Sequence, residues 1–449
     1  MKKKTIFILL ALIAVSGNAL HADNNQVIGE GDVRCHIEGI LETDKWGDEI
    51  IICDANLNVP KDFEYYNIIK AMDGRFTCDI LTDCPRRYIV IMNKQVATGM
   101  WSTGFFLTEG DTVRITISDG NNRPEFSFAS NGPEGRKHEV MDSIDQARFW
   151  KPINDLSYQL YKNPECQKKY FKADYLSAKE DVSSWSKQNQ PTKAHRDSVM
   201  RVNEYYSANY NERFTPEGLA IYQRIDSLFK EQRQFTLNYY AEHPMLWALY
   251  DAKDAIHQIV VDERDENGKY REEYEPLMKL YQNQLCDTYI DHPIHEEISY
   301  LLVAVCLQPG KPYIDYDVHT TDGQTVPISS LIKGKVALID LWASWCGGCR
   351  KHSKAMIPVY EKYKDKGFTV VAIAREKDPS AMERAMRRDG YPWPSLIEPI
   401  NDENHVWSKN GAARGGGAMI LVDRDGTILS TSTDASELEP LIKKALNTD

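Results

Sequence analysis

Two cysteines, Cys346 and Cys349, are the residues of this chain best spaced to do chemistry. They lie within Trp342-Ala343-Ser344-Trp345-Cys346-Gly347-Gly348-Cys349-Arg350. One sulfur can attack an external disulfide. The other, one helical turn further on, can attack the mixed disulfide and release the product. The flanking residues supply the positioning elements. The apolar run from Lys335 to Leu341 predicts a buried strand, and Lys351 to Lys366 carries a helical pattern. A cysteine between a strand and a helix start meets unpaired backbone N–H groups and the positive end of the helix dipole. Both favour the thiolate, which is the nucleophilic form. Two other cysteine chemistries fit the residue types poorly. A zinc site needs two further clustered ligands, and no second Cys-x-x-Cys pair exists. A peroxidase Thr-x-x-Cys pattern is absent, since Ala343 stands three before Cys346.

A chain of 449 residues implies two or three domains. Its net charge of −12 argues against a nucleic-acid partner or an anionic membrane surface. Lys2, Lys3 and Lys4, the apolar run Thr5 to Val15, and small residues at Ser16, Gly17, Ala19 and Ala22 read as a secretory signal. Cleavage is expected after Ala19 or Ala22, leaving an exported, periplasmic chain without stable membrane insertion. The expected divisions are a signal peptide over 1–22, a β-rich domain over 27–130, an α-helical region over 134–308 and an α/β domain over 313–449.

Strand-like segments recur in the β-rich part: Val33–Leu41, Ile50–Ala55, Tyr66–Ala71, Arg75–Ile80, Tyr88–Met92, Thr112–Ser118 and Glu125–Ala129. Their turn-separated spacing predicts an antiparallel sandwich-like domain. No catalytic constellation stands out in it. The middle region switches to helical spacing, broken at Thr215-Pro216, His243-Pro244 and His292-Pro293. Its aromatics Trp150, Tyr158, Tyr161, Tyr239, Tyr240, Trp247 and Tyr250 are expected in a core. His292 and His295 offer two metal ligands without a recognisable third. After the linker signal Pro309-Gly310-Lys311-Pro312, strands and helices alternate, which predicts a largely parallel sheet covered by helices. Nine cysteines leave at least one unpaired. Cys35 with Cys53 and Cys78 with Cys84 are possible cross-strand pairs, but buried free thiols are the favoured reading.

Residues 313 to 449 resemble the thioredoxin fold, in particular the TlpA/ResA-like exported thiol–disulfide oxidoreductases. The resemblance rests on Gly334 to Arg350, on Gly367-Phe368-Thr369-Val370-Val371-Ala372-Ile373-Ala374, and on Leu421-Val422-Asp423-Arg424-Asp425-Gly426-Thr427-Ile428. Asp73-Gly74-Arg75-Phe76 and Phe105 to Val113 are similar to a β domain found ahead of such domains. The resemblance implies that Cys346 attacks and Cys349 resolves, forming a redox-active disulfide, with no cofactor or metal. It implies that Asp340 is the buried acid beneath the pair and that Trp345, Gly347 and Gly348 lie where substrate meets the site. The chain departs from the family where a proline is expected opposite the cysteines. Gly417 stands there, within Gly415-Gly416-Gly417, so Gly416 and Gly417 become the candidates for pairing with substrate. Gly348 replaces the proline of thioredoxins.

Two functions follow. The first is an enzyme that reduces disulfides of exported proteins and is recharged by a membrane thiol–disulfide electron donor. The second is a partner-binding scaffold with a degenerate thioredoxin domain.

Overall fold

The computed structural model describes residues 25–28, 33–54, 68–82, 84–94, 104–108, 110–120, 123–185, 191–261, 273–399, 405–412 and 416–447. The signal peptide over 1–22 and Gly415 lie outside these residues. Two compact units divide between Arg136 and Lys137.

The first unit is built on two sheets. β1 (Asn25–Ile28), β2 (Val33–Leu41), β5 (Arg75–Thr82), β8 (Thr112–Asp119) and β9 (Pro124–Ser130) form one, in the order β1-β5-β2-β8-β9. β3 (Glu49–Asp54), β4 (Ile68–Lys70), β6 (Arg86–Met92) and β7 (Phe105–Leu107) form the other, in the order β4-β3-β6-β7. Alternation places Ile37, Phe76, Ile80, Ile115 and Ile117 of the first sheet in one core with Ile50, Ile52, Val90 and Leu107 of the second. This is the sandwich expected from the sequence. Its ladders are mostly antiparallel, but β1 pairs with β5 and β2 with β8 in parallel. Cys53, Cys78, Cys166, Cys286 and Cys306 are free thiols. Cys35 and Cys78 face the core, whereas Cys53 joins Ile51, Ile89 and Ile91 in a separate cluster. Burial pushes the thiols of Cys53 and Cys78 up to about 12, so they pack as small hydrophobes.

The second unit joins the helical region to the α/β domain. Its helices are α1 (Pro133–Asp145, which spans the division), α2 (Lys151–Ser157), α3 (Pro164–Tyr170), α4 (Ala173–Ser184), α5 (Lys193–Ala208), α6 (Pro216–Glu242), α7 (Leu246–Val261), α8 (Glu275–Asn283) and α9 (Ile294–Val305). Tyr240 and Tyr250 are fully buried as expected, but Tyr158 is exposed. His295 is bonded through both ring nitrogens, to the Tyr281 hydroxyl and the Thr288 carbonyl, and His292 accepts from the Ile294 N–H. Among the described residues no helix is long and apolar enough to cross a membrane.

A seven-stranded sheet follows: β10 (Asp317–His319), β11 (Thr325–Pro327), β12 (Val336–Trp342), β13 (Phe368–Glu376), β14 (Ser395–Pro399), β15 (Met419–Val422) and β16 (Ile428–Ser430). Their order is β11-β10-β14-β13-β12-β15-β16. Only β12–β13 and β13–β14 are parallel. The other ladders are antiparallel, so the sheet is mixed rather than largely parallel. Two of these ladders, β10–β11 and β15–β16, are hairpins, which need no crossover. α10 (Ile328–Ile332), α11 (Gly347–Tyr363), α12 (Pro379–Asp389), α13 (Val406–Lys409) and α14 (Ala435–Ala445) complete the domain. β12 is buried at every position, as a central strand covered on both faces must be.

The helical region completes this core. Ala304 of α9 and nearby Leu307 belong to the same buried cluster as β12 and β13, and Val260 of α7 packs against it. The contact is close at Gly411, where φ is +80° and a Cβ would lie 2.6 Å from Val260 Cγ1. Tyr300 of α9 stacks on His405, the residue before α13, at 4.7 Å. Gly411→Val is therefore expected to destabilise the second unit by about 1–3 kcal/mol through overpacking and backbone strain. Urea unfolding of the full chain checks this, the outcome being a lower midpoint for the transition that carries the tryptophan fluorescence of Trp342 and Trp407.

Candidate active site

The site forms where β12 ends and α11 begins. The helix starts at Gly347, four residues earlier than the charged pattern from Lys351 suggests. Both cysteines thus fall at its first turn, with Cys346 as the capping residue. The two are disulfide-bonded. The Cys349 N–H donates to Cys346 Sγ at 3.2 Å, so a sulfur does what a capping oxygen usually does. The Cys346 and Cys349 side chains are shielded, while Gly347 and Gly348 between them are exposed. Apart from its chain neighbours and the backbone of its own helix, no atom lies within 4 Å of where a Cβ on either glycine would stand. A protein backbone can approach the pair across that surface.

The loop before Cys346 is held at one residue from two sides. Ser344 donates its backbone N–H to Glu376, the last residue of β13. Its carbonyl accepts from Arg350 Nη1 at 3.3 Å. Arg350 in turn grips Asp389, at the end of α12, through Nε at 2.6 Å and Nη2 at 2.7 Å. This two-pronged bond holds the Asp389 carboxyl below the usual carboxylate range. Burial raises that of Glu376. The sequence reading missed Glu376, Arg350 and Asp389 as site residues. Glu376 carried a signal, because a carboxylate closing an apolar strand needs a buried donor.

Asp340 is at the middle of β12 and 1% exposed. Burial pushes its carboxyl up to about 7, opposed by the Ser353 hydroxyl. Its Oδ2 is buried without a hydrogen-bond partner. Ser353 donates its hydroxyl to the Cys349 carbonyl at 3.0 Å. Trp345 is 40% exposed and anchored by its Nε1–H to the Arg375 carbonyl at 3.3 Å. Its ring lies 6.2 Å from that of buried Trp407.

Opposite the disulfide, Gly417 donates its N–H to Cys349 Sγ at 3.0 Å. A Cβ there would stand 1.9 Å from the Leu341 carbonyl oxygen and 2.9 Å from that sulfur. Only glycine allows this approach. Among the described residues no peptide bond is cis. Gly416 has open space around it. The structure thus gathers Cys346, Cys349, Asp340, Trp345, Gly347, Gly348 and Gly417 around one helix end. No group of three metal-ligating side chains occurs among the described residues.

A parallel β12–β13–β14 core, with a cysteine pair on the first turn of the helix after β12, defines a thioredoxin-fold domain of the thiol–disulfide oxidoreductase class. Residues 308–446 match the family described as Redoxin. The thiol-disulfide oxidoreductase ResA of Bacillus thuringiensis is 26% identical over 144 residues, covering 31% of this chain and 79% of that protein. The thiol:disulfide interchange protein DsbE of Pseudomonas fluorescens is 27% identical over 119 residues, covering 26% of this chain and 63% of that protein. The solved thioredoxin domain of a thiol-disulfide oxidoreductase from Bacteroides vulgatus is 26% identical and aligns with a TM-score of 0.29, over 31% of this chain and 99% of that one.

Asp340 gives a pH signature. Its folded pKa of about 7 lies above the ordinary 3.8, so its contribution to stability is full below about pH 4 and is lost as pH rises through 7. At about 1.4 kcal/mol per pKa unit, the loss is of the order of 4 kcal/mol. Asp340→Asn is expected to abolish this fall. Urea unfolding of wild type and variant at pH 5 and pH 8 reads the part lost above pH 5, about 3 kcal/mol, and parallel behaviour of the two would count against a raised carboxyl.

Proposed function

We propose that the protein is an exported thiol–disulfide oxidoreductase that reduces disulfides of periplasmic proteins through a Cys346–Cys349 dithiol. The observation that carries this reading is the disulfide at the helix start, with both sulfurs accepting backbone N–H groups and an open glycine surface between them. In the reduced protein, Cys346 is the attacking thiolate, stabilised by the Cys349 N–H and the helix dipole. It attacks one sulfur of a substrate disulfide, and the other substrate sulfur leaves as a thiolate. Cys349 then attacks Cys346 Sγ and releases the second substrate thiolate. Two electrons and two protons pass to substrate, and the Cys346–Cys349 disulfide remains.

Asp340 takes up the proton that Cys349 must lose, a role its carboxyl can fill near neutral pH. Trp345 and the backbone of Gly347, Gly348 and Gly416 receive the substrate chain. A membrane thiol–disulfide protein returns the electrons. Export rests on the charged and apolar pattern of residues 2–22. The scaffold alternative drew on the missing proline. It is weakened by Gly417, which makes a specific contact with Cys349 rather than leaving a gap.

Wild type is expected to reduce insulin with a dithiol as electron source, and Cys346→Ser to lose turnover. Cys349→Ser is expected to stop after one event, with insulin bound covalently to Cys346. An intact, titratable cysteine pair that neither reduces insulin nor forms the adduct would favour the scaffold. The reduction potential gives the direction: near thioredoxin's, about −270 mV, for a reductase, and near about −120 mV for an oxidase.

A further inference from the structure

The two sulfurs of the pair are served by different backbone donors. Cys346 Sγ takes the N–H of Cys349, from its own helix. Cys349 Sγ takes the N–H of Gly417, from a segment 68 residues away in sequence. Cys349 is 7% exposed, so water has little access to replace that donor. The segment is fixed before any reaction, because the Leu341 N–H donates to the Ala418 carbonyl at 2.9 Å and ties it to β12. The would-be Cβ distances at Gly417 show that the approach depends on glycine. Proline at this position would have no N–H to offer.

We propose that the Gly417 N–H is a catalytic donor that binds the Cys349 sulfur as a thiolate, and so selectively stabilises the states in which the Cys346–Cys349 bond is open. The proposal rests on the dithiol reading above. A neutral disulfide sulfur is a weak acceptor, whereas a thiolate is a charged one, so the same donor is stronger once charge resides on Cys349. This is differential stabilisation by a preorganised dipole. When a donor thiolate attacks Cys346 Sγ, a new S–S bond forms, the Cys346–Cys349 bond breaks, and its electron pair leaves on Cys349 beside the Gly417 N–H. A proton from the medium or from Asp340 then neutralises that thiolate. In the opposite step, Cys349 loses its proton, is held as thiolate by the same N–H, and attacks the mixed disulfide at Cys346.

The test deletes the donor without adding bulk. Residue 417 of the full chain is replaced by glycolic acid through nonsense suppression, which exchanges the N–H for an ester oxygen. Iodoacetamide alkylation of Cys349 is followed against pH in a Cys346→Ser background, with the Cys349 peptide quantified by mass spectrometry. Alkylation at pH 7 is expected to slow about tenfold, an upward move of about one pKa unit. Alkylation of Cys346 in a Cys349→Ser background should stay unchanged. An unchanged Cys349 rate, or equal slowing at both cysteines, overturns the proposal. A second measurement needs no variant: in wild-type protein labelled with 15N-glycine, the Gly417 amide proton should move downfield on reduction by dithiothreitol at alkaline pH. A stationary signal overturns the proposal as well. Failure of wild type to reduce insulin would instead overturn the dithiol reading, so the two failures are distinct.

Discussion

A helix must satisfy the N–H groups of its first turn, and α11 does so with a sulfur atom. Cys346 is both the capping residue and one end of the disulfide. The geometry of the helix start and the state of the sulfur are therefore one constraint. Other parts of the α/β domain serve it. β12 delivers the chain to that point from a fully buried position. Glu376 and Arg350 fix the peptide group of Ser344, so the approach to the cap has little freedom. Asp389, at the end of a different helix, prevents Arg350 from turning toward solvent.

Two buried carboxyls close to this junction carry unlike duties. Glu376 accepts a backbone N–H and is structural in effect. Asp340 has one oxygen with no partner and a carboxyl raised to about 7. A buried acid with an unsatisfied oxygen is costly to retain, and the cost is understandable where a proton must be exchanged. Position on the strand separates them: Asp340 sits inside β12 beneath α11, whereas Glu376 sits at the strand end where loops begin.

The cysteine pair and the buried strand β12 were legible because each combines a residue type with a strong local pattern. The start of α11 was not legible from periodicity, since Gly347 and Gly348 are poor helix formers and the helix is set by its cap. β14 was missed because Tyr391-Pro392-Trp393-Pro394 reads as a breaker and only five residues follow before the strand ends. The mixed direction of the sheet depends on hairpin pairing, which strand order along the chain does not specify. The grip of Arg350 on Asp389 links residues 39 apart, so no local window contains it. Gly417 is a candidate for pairing with substrate by its place in the sequence, but the atom it approaches, Cys349 Sγ, belongs to a residue 68 positions away.

Ala304 and Leu307 belong to the core of the α/β domain although they precede its first strand. During synthesis α9 emerges before any strand of the sheet that buries it. Its apolar side, including Ala304, must wait for roughly the next hundred residues before it is covered, an interval in which exposed apolar surface invites misassembly. The boundary between the two regions is thus not a seam at which either could be exchanged freely. A homologous redox domain grafted onto this helical region would need small residues opposite Val260 and Ala304, as Gly411 provides here.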